Sequence, residues 1–190
     1  MNVLAWAGTI LALIVYVPLW QQIRAKTAHQ NLLTWALWSA LDLVVGATII
    51  AQHGNWLLPM GYFFGSAVTV VVIARAGEPA KWTWFETLVV SMVVASLVVW
   101  YVSGSAVATV ASTSAMLIGG LPQVRDAWRE PHKMPLAAYC GYAIANLLST
   151  AAGRNWSIAE RFYPASAAAF CFVLVLLAAR SFLPVQIEEA

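Results

Sequence analysis

The chain has 190 residues, 62% of them hydrophobic and 9% charged, with a formal net charge of +2. A soluble domain carries about 25% charged residues, and the mean hydropathy here is +0.76, so a water-solvated fold of this size could not hide the apolar surface. An ordinary soluble domain is excluded, and an integral membrane protein is expected, with ten tryptophans and six tyrosines available for belts at two lipid–water interfaces.

Crossing roughly 30 Å of hydrocarbon at 1.5 Å per residue takes about 20 residues of helix. Seven stretches approach that length: 3–20, 32–51, 57–74, 84–102, 106–121, 135–152 and 162–179. Their apolar runs are continuous, with Gly, Ser and Thr scattered through them, which predicts helices rather than barrel strands. The gaps leave no room for a soluble domain. Met1-Asn2 has no basic run and no small-residue cleavage site follows, so the first span is expected to be retained. The segments after spans one, three, five and seven carry Arg24, Lys26, Arg75, Lys81, Arg125, Arg129, Lys133 and Arg180, against only Arg154 and Arg161 on the other side. That bias predicts an outside N-terminus and a cytoplasmic C-terminus in the cell (inner or cytoplasmic) membrane.

The first span ends in "VPLWQQIR", where Pro18 removes a backbone donor and crowds the carbonyl one turn back, four residues before Gln22. The second span holds Asp42, the one carboxylate deep inside a predicted crossing, about 16 Å from the cytoplasmic end. A charged Asp at that depth costs on the order of 2.5–3.5 kcal/mol, so it faces a wet cavity, finds a partner or holds a proton. Trp35, Trp38, Asp42 and Gly46 follow one another at helical spacings and share a face; an interface belt is the plainer reading for Trp35. Ser66 lies in the third span, and Glu86, at the start of the fourth, is expected to snorkel at the interface.

The fifth span ends at Pro122-Gln123, where the proline is expected to stop or kink the helix and the glutamine to satisfy the groups set free. In the sixth span Tyr139, Tyr142 and Asn146 form a stripe matching that of the second. Ser166 lies in the seventh. Aromatic walls with a few polar groups suit a sugar ring, a nucleoside or a zwitterion alike.

The halves of the chain repeat. "AQHGNW" at 51–56 returns as "AAGRNW" at 151–156, and the same offset of 100 pairs Tyr62-Phe63 with Phe162-Tyr163 and Ser66-Ala67 with Ser166-Ala167. An offset of 101 pairs "QIR" at 22–24 with "QVR" at 123–125. Three helices begin and end on opposite sides, so one extra crossing between two such units restores a parallel repeat. The fold expected is an all-α membrane protein of seven helices arranged 3+1+3: residues 1–82, a linker helix at 83–104, and residues 105–190. Proline and glutamine at equivalent ends, Pro18 with Gln22 and Pro122 with Gln123, read as paired hinges.

With "LPQVRDAW" at 121–128 near the cytoplasmic end of a unit's first helix, the chain resembles the PQ-loop superfamily, and within it the SWEET and SemiSWEET branch. The resemblance implies a transporter that moves a small polar, sugar-like solute by alternating access. It aligns the branch's third-helix asparagine, in a stretch like "ANAVT", with Ser66 in "GSAVT" and Ser166 in "ASAAA", and its second-helix tryptophan with Gly46 and Asn146. These departures leave the solute open. Trp38, Asp42, Ser66, Tyr142, Asn146 and Ser166 are the candidate solute contacts.

Two further readings stay open. Asp42 invites proton coupling to an amino acid or related metabolite, as cystinosin-like members of the superfamily are thought to use an aspartate in this helix. A ligand receptor on the same scaffold is the other. No Ser-His-Asp, phosphate-loop or metal-ligand spacing suggests an enzyme, a cofactor or a metal, because Lys26, Lys81, Lys133, His29, His53 and His132 all fall between spans. Cys140 and Cys171 imply no disulfide framework. A charge of +2, placed in the loops, gives no reason to expect nucleic acid.

Overall fold

The computed structural model describes residues 2–26, 31–77 and 82–182; Lys81 and His29 lie outside the described residues. Among these residues the chain is helical throughout: α1 (Val3–Arg24), α2 (Leu32–Ala51), α3 (Leu57–Ala76), α4 (Trp84–Ser103), α5 (Ser105–Gly119), α6 (Leu121–Arg129), α7 (Leu136–Ala152) and α8 (Tyr163–Ala179). Short 3-10 turns at Pro131–Lys133 and Arg180–Phe182 and a π-helical turn at Ile158–Phe162 complete it. Val3–Arg24, Leu32–Ala51, Leu57–Ala76, Trp84–Ser103, Ser105–Arg129 and Ile158–Phe182 are long and apolar enough to cross a membrane, and α7 is a shorter apolar helix of 17 residues.

Local chemistry starts several helices. Asn2 accepts a hydrogen bond from the Ala5 amide and Asn31 one from the Leu33 amide, each at 3.1 Å, satisfying donors that a first helical turn leaves free. Thr83 and Glu86 close a capping box at the start of α4. Glu86 therefore does not snorkel. It is 3% exposed, and it also accepts from Asn31 Nδ2 at 3.0 Å and Thr34 Oγ1 at 3.2 Å, which ties α4 to α2.

The prolines behave differently from one another. α1 continues through Pro18 to Arg24. In the second half the helix is interrupted at Gly120 and resumes at once as α6, so Pro122 does not stop it. Pro122 stands in the first turn of α6, where a missing amide costs little.

α1 and α2 both pack on α3, and α7 and the α5–α6 pair both pack on α8. Between these two groups of three, α1 packs on α7 and α2 on α5, while α4 lies against α5 and α2. The interior is unusually polar. Thr48, Thr69, Thr109, Ser112, Thr113, Asn146 and Ser149 are fully buried, while Ile14, Val98, Leu147 and Leu176 are each more than half exposed.

The α1–α7 contact is close because each side supplies a glycine. A Cβ on Gly8 would lie 2.7 Å from the Ala145 carbonyl oxygen, and one on Gly141 would lie 2.5 Å from Val15 Cγ2. Backbone oxygen cannot move aside as a side chain can. Gly8→Val is therefore expected to destabilise the fold by about 1–3 kcal/mol, read as a lowered midpoint of thermal unfolding in detergent. An unchanged midpoint would mean that α1 and α7 do not approach here.

Candidate functional site

A water-accessible cavity of about 130 Å³ lies between the two groups of helices, lined by α1, α2, α3, α5, α6, α7 and α8 and by Gly120 between α5 and α6. At about 30 Å³ per water it has room for roughly four water molecules, or a small solute of similar bulk. Its inner end is built from the two stripes. Trp35, Trp38 and Asp42 descend one face of α2, and Tyr139, Tyr142 and Asn146 descend one face of α7 with the same spacing, all six lining the cavity. Trp35 is buried there and does not stand in an interface belt.

The two polar groups at the inner end are held in the same way, each by a tyrosine of the opposite group. Tyr163 on α8 donates to Asp42 Oδ1 at 2.8 Å, and Asn146 Nδ2 on α7 donates to Tyr62 Oη on α3 at 2.7 Å. Asp42 is 5% exposed and Asn146 0%. Ser66, also in the lining, bonds the Tyr16 hydroxyl at 3.2 Å. Among the described residues Asp42 is the one carboxyl side chain in the lining, and no lysine, arginine or histidine joins it. Two buried polar atoms of the lining have no hydrogen-bond partner: Trp38 Nε1 and Asn146 Oδ1.

Of the residues expected from sequence, Trp38, Asp42, Ser66, Tyr142, Asn146 and Gln123 meet in this cavity. Ser166 does not. It is half-buried on another face of α8, and Ala167 occupies the inward position. Pro18, Gln22 and Pro122 are exposed and outside the lining. Sequence reasoning missed Tyr62, Tyr163 and Tyr16. Tyr62 and Phe162 were paired by the offset of 100, whereas the inward residues are Tyr62 and Tyr163, an offset of 101. On α2 and α7 the inward residues are 104 apart: Asp42 lines the cavity as Asn146 does, while Gly46 packs on Met60. Equal letters also diverge in place: Asn55 is buried, while Asn155 and Trp156 are exposed.

The cavity runs toward the end where α1 and α6 finish and α2 and α7 begin, past Gly120, Gln123 and Tyr139. The other end is shut by bonds between the groups. Asn2 Nδ2 donates to the Ala152 carbonyl at 3.0 Å; Asn55 Nδ2 donates to the Ser149 carbonyl at 3.0 Å and to its hydroxyl at 3.2 Å; the Asn55 amide donates to the Ala159 carbonyl at 3.0 Å. Gln52 Nε2 donates at 2.8 Å to Thr109 Oγ1, which donates at 2.8 Å to Thr48 Oγ1. Arg154 bonds both the His53 carbonyl and Glu160. The hydrogen bond that Arg154 donates to Glu160, then the charge of that carboxylate, raises the Arg154 pKa above its ordinary value.

No group of three or more His, Cys, Asp and Glu side chains gathers to hold a metal among the described residues. Comparison with protein-family models, with curated proteins and with solved structures finds no match to this chain.

A hydrogen bond to a charged group contributes about 1.5–3 kcal/mol against about 0.5–1.5 for a neutral pair. Tyr163→Phe removes the donor to Asp42, so it is expected to destabilise more than Tyr62→Phe does in chemical denaturation. The reverse order would mean that the Asp42 bond is not the stronger of the two.

Proposed function

We propose that the chain spans the membrane seven times and is a transporter of a small solute, working by alternating access of two three-helix units about the cavity. The single observation that carries this reading is the cavity itself: an aromatic-walled pocket with a few polar groups between two groups of helices, shut at one end by inter-group hydrogen bonds and running toward the other. The apolar exterior over a hydroxyl-rich interior suits lipid as the solvent. In this proposal α1–α3 and α5–α8 are parallel repeats, α4 is the linker that restores direction, the N-terminus is outside and the C-terminus cytoplasmic in a cell membrane. The likeness of element order, α1–α3–α2 against the α5–α6 pair, α8 and α7, supports the repeats, and together with the Pro122-Gln123 stretch it favours a PQ-loop, SWEET-like transporter. With the basic loops inside, the structure described is the cytoplasm-facing state.

A second reading, proton coupling, is favoured by Asp42 alone: a buried carboxylate in a cavity, with one tyrosine as its donor and no basic side chain in the lining. Under it Asp42→Asn abolishes accumulation driven by a pH gradient while sparing exchange of solute for solute. Accumulation that survives the substitution would remove Asp42 from the coupling.

Cys171 lines the cavity and reports on its access without any engineered thiol. In a Cys140→Ser background reconstituted in vesicles, a membrane-impermeant maleimide is expected to label Cys171 from the basic side. Asn55→Ala, which removes bonds to Ser149, is expected to add labelling from the other side. Label entering equally from both sides in the parent, or from neither in both proteins, would end the alternating-access reading.

A further inference from the structure

The lining of the cavity is lopsided by one charge, and that charge has no structural duty that an amide could not perform. Asn146 holds the position on α7 that Asp42 holds on α2, and it makes the equivalent bond to a tyrosine of the opposite group. The scaffold therefore accepts an amide at this depth. A buried carboxylate whose donor is one neutral tyrosine is costly unless it holds a proton or something brings a positive charge to it, and a cation in the cavity would do the second. No described residue of the lining does so.

The walls favour the same kind of occupant. Tyr16 meets Trp35 at 65° and Tyr142 at 72°, and Trp35 meets Trp38 at 78°, with ring centroids 5.3 to 6.0 Å apart. Crossed rings make a box, and a desolvated cation within about 6 Å of an aromatic face is attracted by the ring's quadrupole. The Ser66 hydroxyl is engaged by Tyr16 and Asn146 Nδ2 by Tyr62, which leaves one unpartnered donor, Trp38 Nε1, and one unpartnered acceptor, Asn146 Oδ1, too few for the several hydroxyls of a polyol and enough for the single N–H or O–H of a small cation. A zwitterion would bring a carboxylate into a cavity with no basic group to receive it.

We propose that the solute is a small organic monocation, an amine or quaternary ammonium compound without an acid group, whose charge rests on Asp42 within the aromatic box of α1, α2 and α7. This rests on the reading of the cavity as a solute site and names the class of solute. The volume admits an amino alcohol and excludes a long polyamine.

The test is binding to the purified full chain in nanodiscs, by calorimetry, with four probes: choline; its neutral carbon isostere 3,3-dimethyl-1-butanol; glycine betaine, the zwitterion of similar size; and glucose. Choline is expected to bind about tenfold or more tightly than any other probe. Asp42→Asn should weaken choline by about tenfold or more and leave the isostere unchanged, while Asp42→Glu should retain the preference. The ranking in the unaltered protein decides even if a variant does not fold. Equal binding of choline and its isostere, tighter binding of betaine or glucose, or no saturable choline binding overturns the proposal. Flux in proteoliposomes separates this from the transporter reading: choline that binds without crossing removes transport and keeps the cation site, whereas flux of glucose or the isostere with no preference for choline keeps transport and removes the cation site.

Discussion

The crossed pair of hydrogen bonds, Tyr163 to Asp42 and Asn146 to Tyr62, is the constraint on which the middle of the molecule depends. Each joins the second helix of one group to the third helix of the other, so neither group can shift without disturbing both bonds. Unpaired polar groups at this depth are expensive, about 1–3 kcal/mol for a neutral group and more for a charge. The tyrosines let two polar side chains stand in an apolar bundle without a soluble-protein core around them. The cavity then forms beneath them because the residues one and two turns toward the basic end are large rings that meet edge to face and leave a space between the helices.

The two ends are held by different chemistry. Away from the cavity, small residues allow backbones to touch: a Cβ on Gly54 would lie 2.3 Å from the Ala159 carbonyl oxygen, and Asn55 beside it bonds Ser149 and Ala159. Contacts of this kind are polar and individually worth about 0.5–1.5 kcal/mol, so a handful can break together against a comparable set formed elsewhere. Toward the cavity mouth the groups are separated by bulky aromatic side chains. On the transporter reading this contrast is what makes one end a latch and the other a passage.

Much of this was legible in the sequence and some was not, for physical reasons. Apolar runs gave the helices, since hydrocarbon length constrains them directly, and helical spacing gave both stripes because i, i+3 and i+7 are geometric neighbours on any helix. Asp42 stood out by cost alone. Which tyrosine it meets did not, because contacts across helices leave no trace in local spacing. The register failed for a related reason. Asn-Trp pairs in loops set the offset of 100, yet the helices are spaced differently: α2 and α7 begin 104 residues apart, at Leu32 and Leu136, and end 101 apart, at Ala51 and Ala152, because α7 is three residues shorter, 17 against 20. The offset therefore passes from 101 to 104 and back to 101, which moves the inward position from Ser166 to Ala167. Glu86 misled because its position in the span suggested an interface, while its hydrogen-bond partners on α2 made a buried site affordable.

The two prolines sharpen the same point. Proline at a helix end is locally alike in "VPLWQQIR" and "GLPQVRDAW", and only tertiary packing separates them. At Gly120 a Cβ would lie 2.3 Å from the ring of Phe170, a residue that itself lines the cavity. Glycine thus lets the Phe170 ring come close at the wall of the cavity, and it is the residue at which the helix is interrupted between α5 and α6. Pro122, two positions on, withholds the amide that would have carried the α5 ladder across the break. Nothing in the packing of Pro18 does the same for α1, which stays continuous and closely seated on α7 through Gly8 and Gly141. The bundle therefore has a continuous helix at α1 and an interrupted one at α5–α6, and the interruption coincides with the cavity wall. A solute that displaces Phe170 would act on the α5–α6 break directly, because that ring is the neighbour of Gly120.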